Sequence, residues 1–351
     1  MSEIYLYLRK LENFSIIVNG SQELGYEIYN KRWGMFHMDE DDFQFRTVSN
    51  SEILTNSYHL PSKGRYALYK GELIEIVSEK KKVLLVSDLD KTLWSPLDET
   101  NEAYDVFIKY WISHFGFNDS ILVYNTGRNL KEYIEASKNL FEPDAIVLVL
   151  GNYAYVFNEL GEPIIQEDYQ VVLRDFIDPD WDSQFFSSLI LSKFEINPDF
   201  LRFIDPYNIC FIIPDEVLFQ KLDEIKEFVK NPNKERYEGR LLNAKCIVSR
   251  QYCINEHFLE ILPISAGKHL GLIYCQRKFG FTNDNTMIAG DSLNDIDVLK
   301  HPVYGVLVGN SEPLVKEWYA KKPRANKYLS TLTMAYAVKE GLEKFVEDSF
   351  I

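Results

Sequence analysis

Two carboxylates stand two residues apart in Asp88-Leu89-Asp90-Lys91-Thr92, directly after the apolar run Val83-Leu84-Leu85-Val86. While the chain stays extended, residues i and i+2 project to the same side, so both acids can enter one crevice. Two anions held that close are costly unless a cation lies between them or one carries a proton. A hard divalent ion with oxygen ligands meets the first condition, so the pair implies magnesium. Three later clusters carry matching chemistry. Asn125-Thr126-Gly127-Arg128 offers an anion a hydroxyl and an unobstructed backbone N–H, beside a helix N-terminus. Ala266-Gly267-Lys268 opens a helical stretch and brings an ammonium able to neutralise phosphoryl charge. Gly290-Asp291-Ser292-Leu293-Asn294-Asp295 supplies further carboxylates for the same metal.

Each cluster alone recurs by chance, and the weight lies in where they fall. Apolar runs of the kind buried on both faces occupy 83–86, 121–124, 146–150, 286–289 and 303–308. Between the first two, Tyr104, Phe107, Ile108, Trp111, Ile112 and Phe115 follow the 3.6-residue period of an amphipathic helix. Strand, helix and strand in this order predict a parallel sheet. In open α/β sheets ligands gather beyond the carboxyl ends of the strands, and three of the clusters sit just after such runs.

Residues 1–80 hold short β-prone runs broken by Asn-Gly, Pro and Asp-rich stretches, which reads as a small β-rich N-terminal extension. The charged run Glu79-Lys80-Lys81-Lys82 then gives way to apolar sequence, marking a boundary. From about 160 the pattern changes again. Asp178-Pro179-Asp180 punctuates it, a β-prone run covers 209–213, and Leu218, Leu222, Ile225 and Val229 share one helix face. The expected organisation is an α/β core over 81–160 and 259–351, interrupted by an α+β cap over 161–258.

The chain has 351 residues, 46% of them hydrophobic and 14% aromatic, enough for two or three cores. A formal charge of −15 argues against nucleic acid or an anionic membrane as partner, since both would be repelled. No apolar run reaches the roughly 18 residues of a membrane span, and the charged start lacks a signal-peptide layout, so a soluble cytoplasmic protein is expected. Cys210, Cys246, Cys253 and Cys275 show no paired spacing and read as reduced structural thiols. His37, His59, His114, His257 and His301 have no metal-ligand spacing.

Together the clusters resemble the haloacid dehalogenase superfamily, and most of all its sucrose-phosphate phosphatase-like branch. The resemblance covers about residues 83 to 345, through Val86-Ser87-Asp88-Leu89-Asp90-Lys91-Thr92, Tyr124-Asn125-Thr126-Gly127-Arg128, Ile261-Leu262-Pro263 to Lys268, and Gly290-Asp291-Ser292 with Asn294-Asp295. It implies a Rossmann-like parallel-sheet core and a phosphatase acting on a small phosphorylated metabolite, a sugar phosphate. Asp88 would attack phosphorus, forming an aspartyl-phosphate, while Asp90 protonates the leaving oxygen and then activates water. Thr126, Gly127, Lys268 and Asn294 would hold the phosphoryl group. Asp88, the Asp90 carbonyl, Asp291 and Asp295 would hold Mg2+. Only about 34 residues separate Thr92 from Thr126, against about 140 between Arg128 and Lys268, so the cap falls in the second gap.

The chain departs from that branch in places. Gly151-Asn152-Tyr153 stands where Gly-Thr-Glu is usual, Asn208 where the cap has a lysine, and His269 where glycine follows the site lysine. Arg128, Asn152, Tyr153 and Asn208 are therefore the expected substrate contacts, and they weaken the case for sucrose itself. His269 reads as an ordinary first-turn residue or a second phosphate contact. Two other functions fit the same fold: a phosphosugar mutase and a non-catalytic sugar-phosphate-binding regulatory protein.

Overall fold

In the computed structural model, residues 1–9, 14–18, 22–29, 32–49, 52–250, 255–321 and 323–347 are described. The predicted apolar runs form the middle of an eight-stranded sheet. Leu84–Ser87 lies between Ile121–Asn125 and Thr286–Gly290, all parallel. Ala145–Leu148 extends the sheet on one side, Tyr304–Leu307 and Lys327–Leu329 on the other, again parallel. Two antiparallel strands, Tyr153–Phe157 and Pro163–Ile165, finish one edge.

Alternation decides which residue meets which layer. Leu85, Leu122, Tyr124, Ile146 and Leu148 point to one core, filled by Phe107, Trp111 and Ile112 of the helix Glu102–His114 and by Val338 and Leu342 of Met334–Glu347. Leu84, Val86, Val123 and Val147 point to the other, where the helix Lys268–Phe279 packs through Leu272 and Cys275. Both faces are covered, which is why these strands read as continuous apolar runs.

The described residues before Leu84–Ser87 form a two-sheet sandwich. One sheet pairs Glu27–Tyr29, Trp33–Met38, Ser2–Tyr7, Arg65–Tyr69 and Glu72–Glu75; the other pairs Gln22–Glu23, Phe14–Val18, Asp42–Ser49 and Glu52–His59. Ile4 and Leu6 face the sandwich interior with Phe36, Phe43 and Phe45. Tyr5 and Tyr7, one residue out of phase, join Trp33 and Tyr69 against Phe117 and Phe141 of the large core. Ion pairs Arg32–Asp144 and Arg9–Glu142 flank that seam.

Residues 201–263 build a second antiparallel sheet, ordered Leu201–Asp205, Asn208–Pro214, Glu256–Pro263, Ala244–Arg250. The helices Ser183–Lys193 and Asp215–Lys230 cover one face through Phe186, Ile190, Leu218, Leu222, Ile225 and Val229. Two boundaries differ from the expected 161–258. Pro163–Ile165 is an edge strand of the large sheet, and Tyr169 and Leu173 of the helix Glu167–Phe176 are buried in the same apolar cluster as Leu84 and Val86. At the other end Glu256–Pro263 stays paired with Asn208–Pro214 through Ile261 and with Ala244–Arg250 through Pro263. Strand pairing, invisible to a composition shift, sets both edges. Among the described residues no helix is long and apolar enough to cross a membrane. Cys210, Cys246 and Cys275 are free thiols, and Cys253 lies outside the described residues.

Candidate active site

Four loops meet at the carboxyl ends of the central strands, where the parallel sheet predicts a site. Asp88 follows Leu84–Ser87, Thr126 follows Ile121–Asn125, Asp291 follows Thr286–Gly290, and Lys268 opens its helix. Asp88, Asp291, Asp295 and Lys268 are each no more than 7% exposed. The ammonium of Lys268 donates to Asp88 Oδ1 at 2.5 Å and to Asp295 Oδ1 at 2.7 Å. Thr92 Oγ1 sits 3.2 Å from Asp88 Oδ2 and 3.1 Å from Asp291 Oδ1, bridging two loops.

Backbone geometry holds these groups in place. Asp295 Oδ2 accepts the N–H groups of Asp291 and Ser292, both at 3.0 Å, so it caps the short turn after Gly290. A Cβ at Gly290 would lie 2.5 Å from Asp295 Cγ, so that close approach needs glycine. Gly267 has φ 140, a conformation suited to glycine, and turns the chain so that Lys268 enters the crevice. Asn125 Nδ2 donates to the Lys268 carbonyl at 2.9 Å, tying the second strand to the lysine.

Charge is unbalanced here. Asp88, Asp291 and Asp295 each offer an oxygen, all within 4.8 Å of one another, against one ammonium. Burial pushes the Asp88 carboxyl up to about 7, with Lys268 opposing and Asp295 reinforcing the rise. Burial and the neighbouring Asp88 push Asp291 well above the usual carboxylate range. For Lys268 burial opposes the charge, but Asp295 and Asp88 outweigh it and hold the ammonium protonated. Three oxygen donors with two surplus negative charges fit a hard divalent cation such as Mg2+.

Asp90 lies apart from this trio. Both its oxygens accept from Arg128, from Nε at 2.7 Å and Nη2 at 2.6 Å, while the guanidinium stacks over Trp94. The expectation that Asp90 reaches the metal therefore rests on its carbonyl. Asp295 belongs to the carboxylate trio, yet its oxygens are committed to Lys268 and the Asp291-Ser292 turn.

A cleft of about 300 Å³ opens above these residues. Asp88, Asp90, Thr126, Gly127, Arg128, Asp291 and Asn294 line its floor, as expected. Its roof comes from the small sheet: Arg202, Phe203, Ser249, Phe258 and Glu260. Three expected substrate contacts do not line it. Tyr153 gives its hydroxyl to Asp205, Asn152 is buried with no hydrogen-bond partner for its amide among the described residues, and Asn208 stands behind Glu260. His269 stacks on His301 and is likewise not a lining residue. Sequence reasoning missed the whole roof. The one legible trace was the apolar-acidic alternation Phe258, Leu259, Glu260, Ile261, which puts Glu260 on the face opposite the buried Leu259 and Ile261.

Comparison with known proteins gives the same picture. The chain is 29% identical over 252 residues to sucrose-phosphatase 2 of Nicotiana tabacum, covering 70% of this chain and 54% of that one. It is 28% identical over 253 residues to probable sucrose-phosphatase 3a of Arabidopsis thaliana, covering 70% and 55%. It thus spans about half the length of these relatives. The fold matches the sucrose-phosphatase of Synechocystis sp. PCC6803, solved with sucrose and phosphate, with a TM-score of 0.57 at 22% identity over 76% of this chain and 98% of that one. The haloacid dehalogenase fold expected from the motifs is therefore the fold observed. A sequence profile of one family matches residues 81–346, three quarters of the chain, and the protein belongs to that family, the sucrose-6F-phosphate phosphohydrolases.

Proposed function

We propose that the chain is a Mg2+-dependent phosphatase that hydrolyses a small phosphorylated metabolite, a sugar phosphate, through an aspartyl-phosphate on Asp88. The observation that carries this reading is the meeting of Asp88, Asp291 and Lys268 beside a cleft of about 300 Å³ that Asp88, Thr126 and Asp291 line and the small sheet roofs. The carboxylates of Asp88 and Asp291, with the Asp90 carbonyl, would hold the cation. When bound, it supplies charge neutralisation between the nucleophile and the phosphoryl oxygens.

In the first step an Asp88 oxygen attacks phosphorus and the bond to the sugar oxygen breaks, with a proton from Asp90 going to the leaving oxygen. In the second, Asp90 takes a proton from water, the water oxygen attacks phosphorus, and the Asp88–phosphorus bond breaks to release phosphate. Thr126, the Gly127 N–H, Asn294 and Lys268 hold the transferred group, positioning being most of what phosphoryl transfer requires. Arg128 holds Asp90 and itself lines the cleft, where it would contact the substrate.

The named relatives are sucrose-phosphatases, which supports a sugar leaving group. A mutase must keep its phosphorylated intermediate and bind a second phosphate. Among the described side chains of the cap, Arg236 and Arg240 pair with Asp180 and Asp182, and Arg202 is the one cap arginine that lines the cleft. That favours hydrolysis.

The test is a panel of phosphorylated metabolites assayed for phosphate release with and without Mg2+, with sucrose 6-phosphate first and trehalose, mannose and glucose phosphates beside it. Release is expected for a sugar phosphate and is expected to stop in excess chelator. A nucleotide or phosphoprotein with the best kcat/KM, and no sugar phosphate within tenfold, would sink the substrate reading.

A further inference from the structure

The small sheet turns one face to its own helices and the other to the cleft. Along Glu256–Pro263 the inward residues Leu259 and Ile261 join Phe211, Leu218 and Ile225. Phe258 and Glu260 alternate with them and look onto the cleft. A carboxyl is an expensive choice there. Glu260 is only 6% exposed, and burial pushes it up to about 7 despite the opposing hydrogen bond from Asn208 and the charge of Lys268. An apolar side chain of similar volume would fill the position at lower cost.

The carboxyl is also held in one orientation. Asn208, fully buried on the neighbouring strand, donates from Nδ2 to Glu260 Oε1 at 3.0 Å. Among the described residues the second oxygen accepts no hydrogen bond, and it belongs to a residue that lines the cleft. Around it lie the Phe203 and Phe258 rings, the Ser249 hydroxyl and the Arg202 guanidinium, 4.8 Å over Phe258. Across the cleft are Asp88, Thr126 and Asp291. An acceptor oxygen so placed attracts O–H donors and gives an acceptor-only phosphoryl group no partner, so it belongs to the leaving-group half.

We propose that Glu260 is a specificity-determining residue, accepting hydrogen bonds from hydroxyls of a polyol leaving group while Asn208 fixes its orientation. This rests on the sugar-phosphatase reading above. It assigns Asn208 an indirect part, as the positioning residue behind the contact. It also excludes leaving groups that carry a second phosphate, because the free oxygen of Glu260 would face it. A site with a buried acceptor discriminates strongly against analogues lacking the donor, since its own oxygen is then left unpaired.

The experiment compares the full chain with Glu260→Gln and Glu260→Ala on three substrates: the best sugar monophosphate of the panel, its deoxy analogues, and phenyl phosphate, which has no hydroxyl in its leaving group. Glutamine keeps the acceptor for Asn208 and the volume. The sugar phosphate is expected to lose at least tenfold in kcat/KM, chiefly through KM. The loss on phenyl phosphate is expected to be at least tenfold smaller. One deoxy analogue is expected to show the same deficit on the unaltered chain, with Glu260→Gln adding nothing further to it. Equal losses on both substrate types would mean a packing role and overturn the proposal, as would an undiminished sugar phosphate. If the unaltered chain releases phosphate from no sugar phosphate, the sugar-phosphatase reading falls first, an outcome distinct from sugar hydrolysis that ignores Glu260.

Discussion

At the scale of single residues the site is a problem in burying charge. Asp88 lies between a like-charged neighbour and one ammonium, and its reactivity depends on remaining an unprotonated acceptor beside Lys268. Asp88→Asn keeps the shape and removes the proposed nucleophile, so kcat is expected to fall by at least about a thousandfold with the thermal midpoint preserved or raised. Turnover within about tenfold of the unaltered chain would refute the role of Asp88. Glu260 tests the same physics from the stability side. Its folded pKa of about 7 lies above the ordinary glutamate value, so the fold prefers the protonated form. The penalty for the ionised form grows as pH rises from about 4.5 to about 7 and is constant above. Glu260→Gln is therefore expected to gain stability over the unaltered chain across that window, by on the order of 1–3 kcal/mol at pH 8 and little at pH 4. Denaturant titrations at the two pH values check it, and an equal difference at both would contradict it.

At the scale of elements the roof must stay aligned with the floor. Polar contacts join the small sheet to the core below it: Arg202 with Glu132, Tyr153 with Asp205, and Lys245 with Asp297. The last reaches the loop after Thr286–Gly290, since Asp297 lies two residues beyond Asp295, in the short helix Ile296–Leu299, and Lys245 lies on the strand Ala244–Arg250. Both partners are partly buried, so removing one leaves a poorly solvated charge. Lys245→Met keeps much of the stem and loses the ammonium. It is expected to raise KM several-fold, with a smaller effect on kcat and a stability loss of about 1–2 kcal/mol. An unchanged KM would show that this ion pair does not align the roof.

At the scale of the whole molecule, the N-terminal sandwich and the large core share one apolar cluster. Trp33 is buried within it, its ring 5.2 Å from Tyr7 and 5.1 Å from Phe117. That seam lies on the face of the large sheet packed by Glu102–His114, away from the residues that line the cleft. Trp33→Ala is expected to cost about 3–5 kcal/mol of stability for the chain as a unit. Phosphatase kcat at a temperature where the variant is folded is expected to be unchanged. A scanning calorimetry trace is expected to show one transition for the unaltered chain, and a separate low-temperature transition would mean that the sandwich is a loosely attached module.

What the sequence determined by itself was the candidate site and its scaffold. Asp88, Thr126, Lys268 and Asp291 were legible because each follows a strand or opens a helix, and local apolar runs and glycine positions mark such places without reference to anything distant. The parallel sheet was legible for the same reason. Only the tertiary structure decided that Asp90 is clamped by Arg128, that Asn152 and Tyr153 do not line the cleft, and that Asn208 is hydrogen-bonded to Glu260. It also decided that Pro163–Ile165 joins the large sheet with the helix Glu167–Phe176 packed in its core, and that the N-terminal sheets pack on the large core as a layer. These outcomes depend on strand pairing and on side chains brought together from distant segments of the chain. Such contacts leave no local period in the sequence, because which face of a strand meets a cleft is fixed by the partner it packs against.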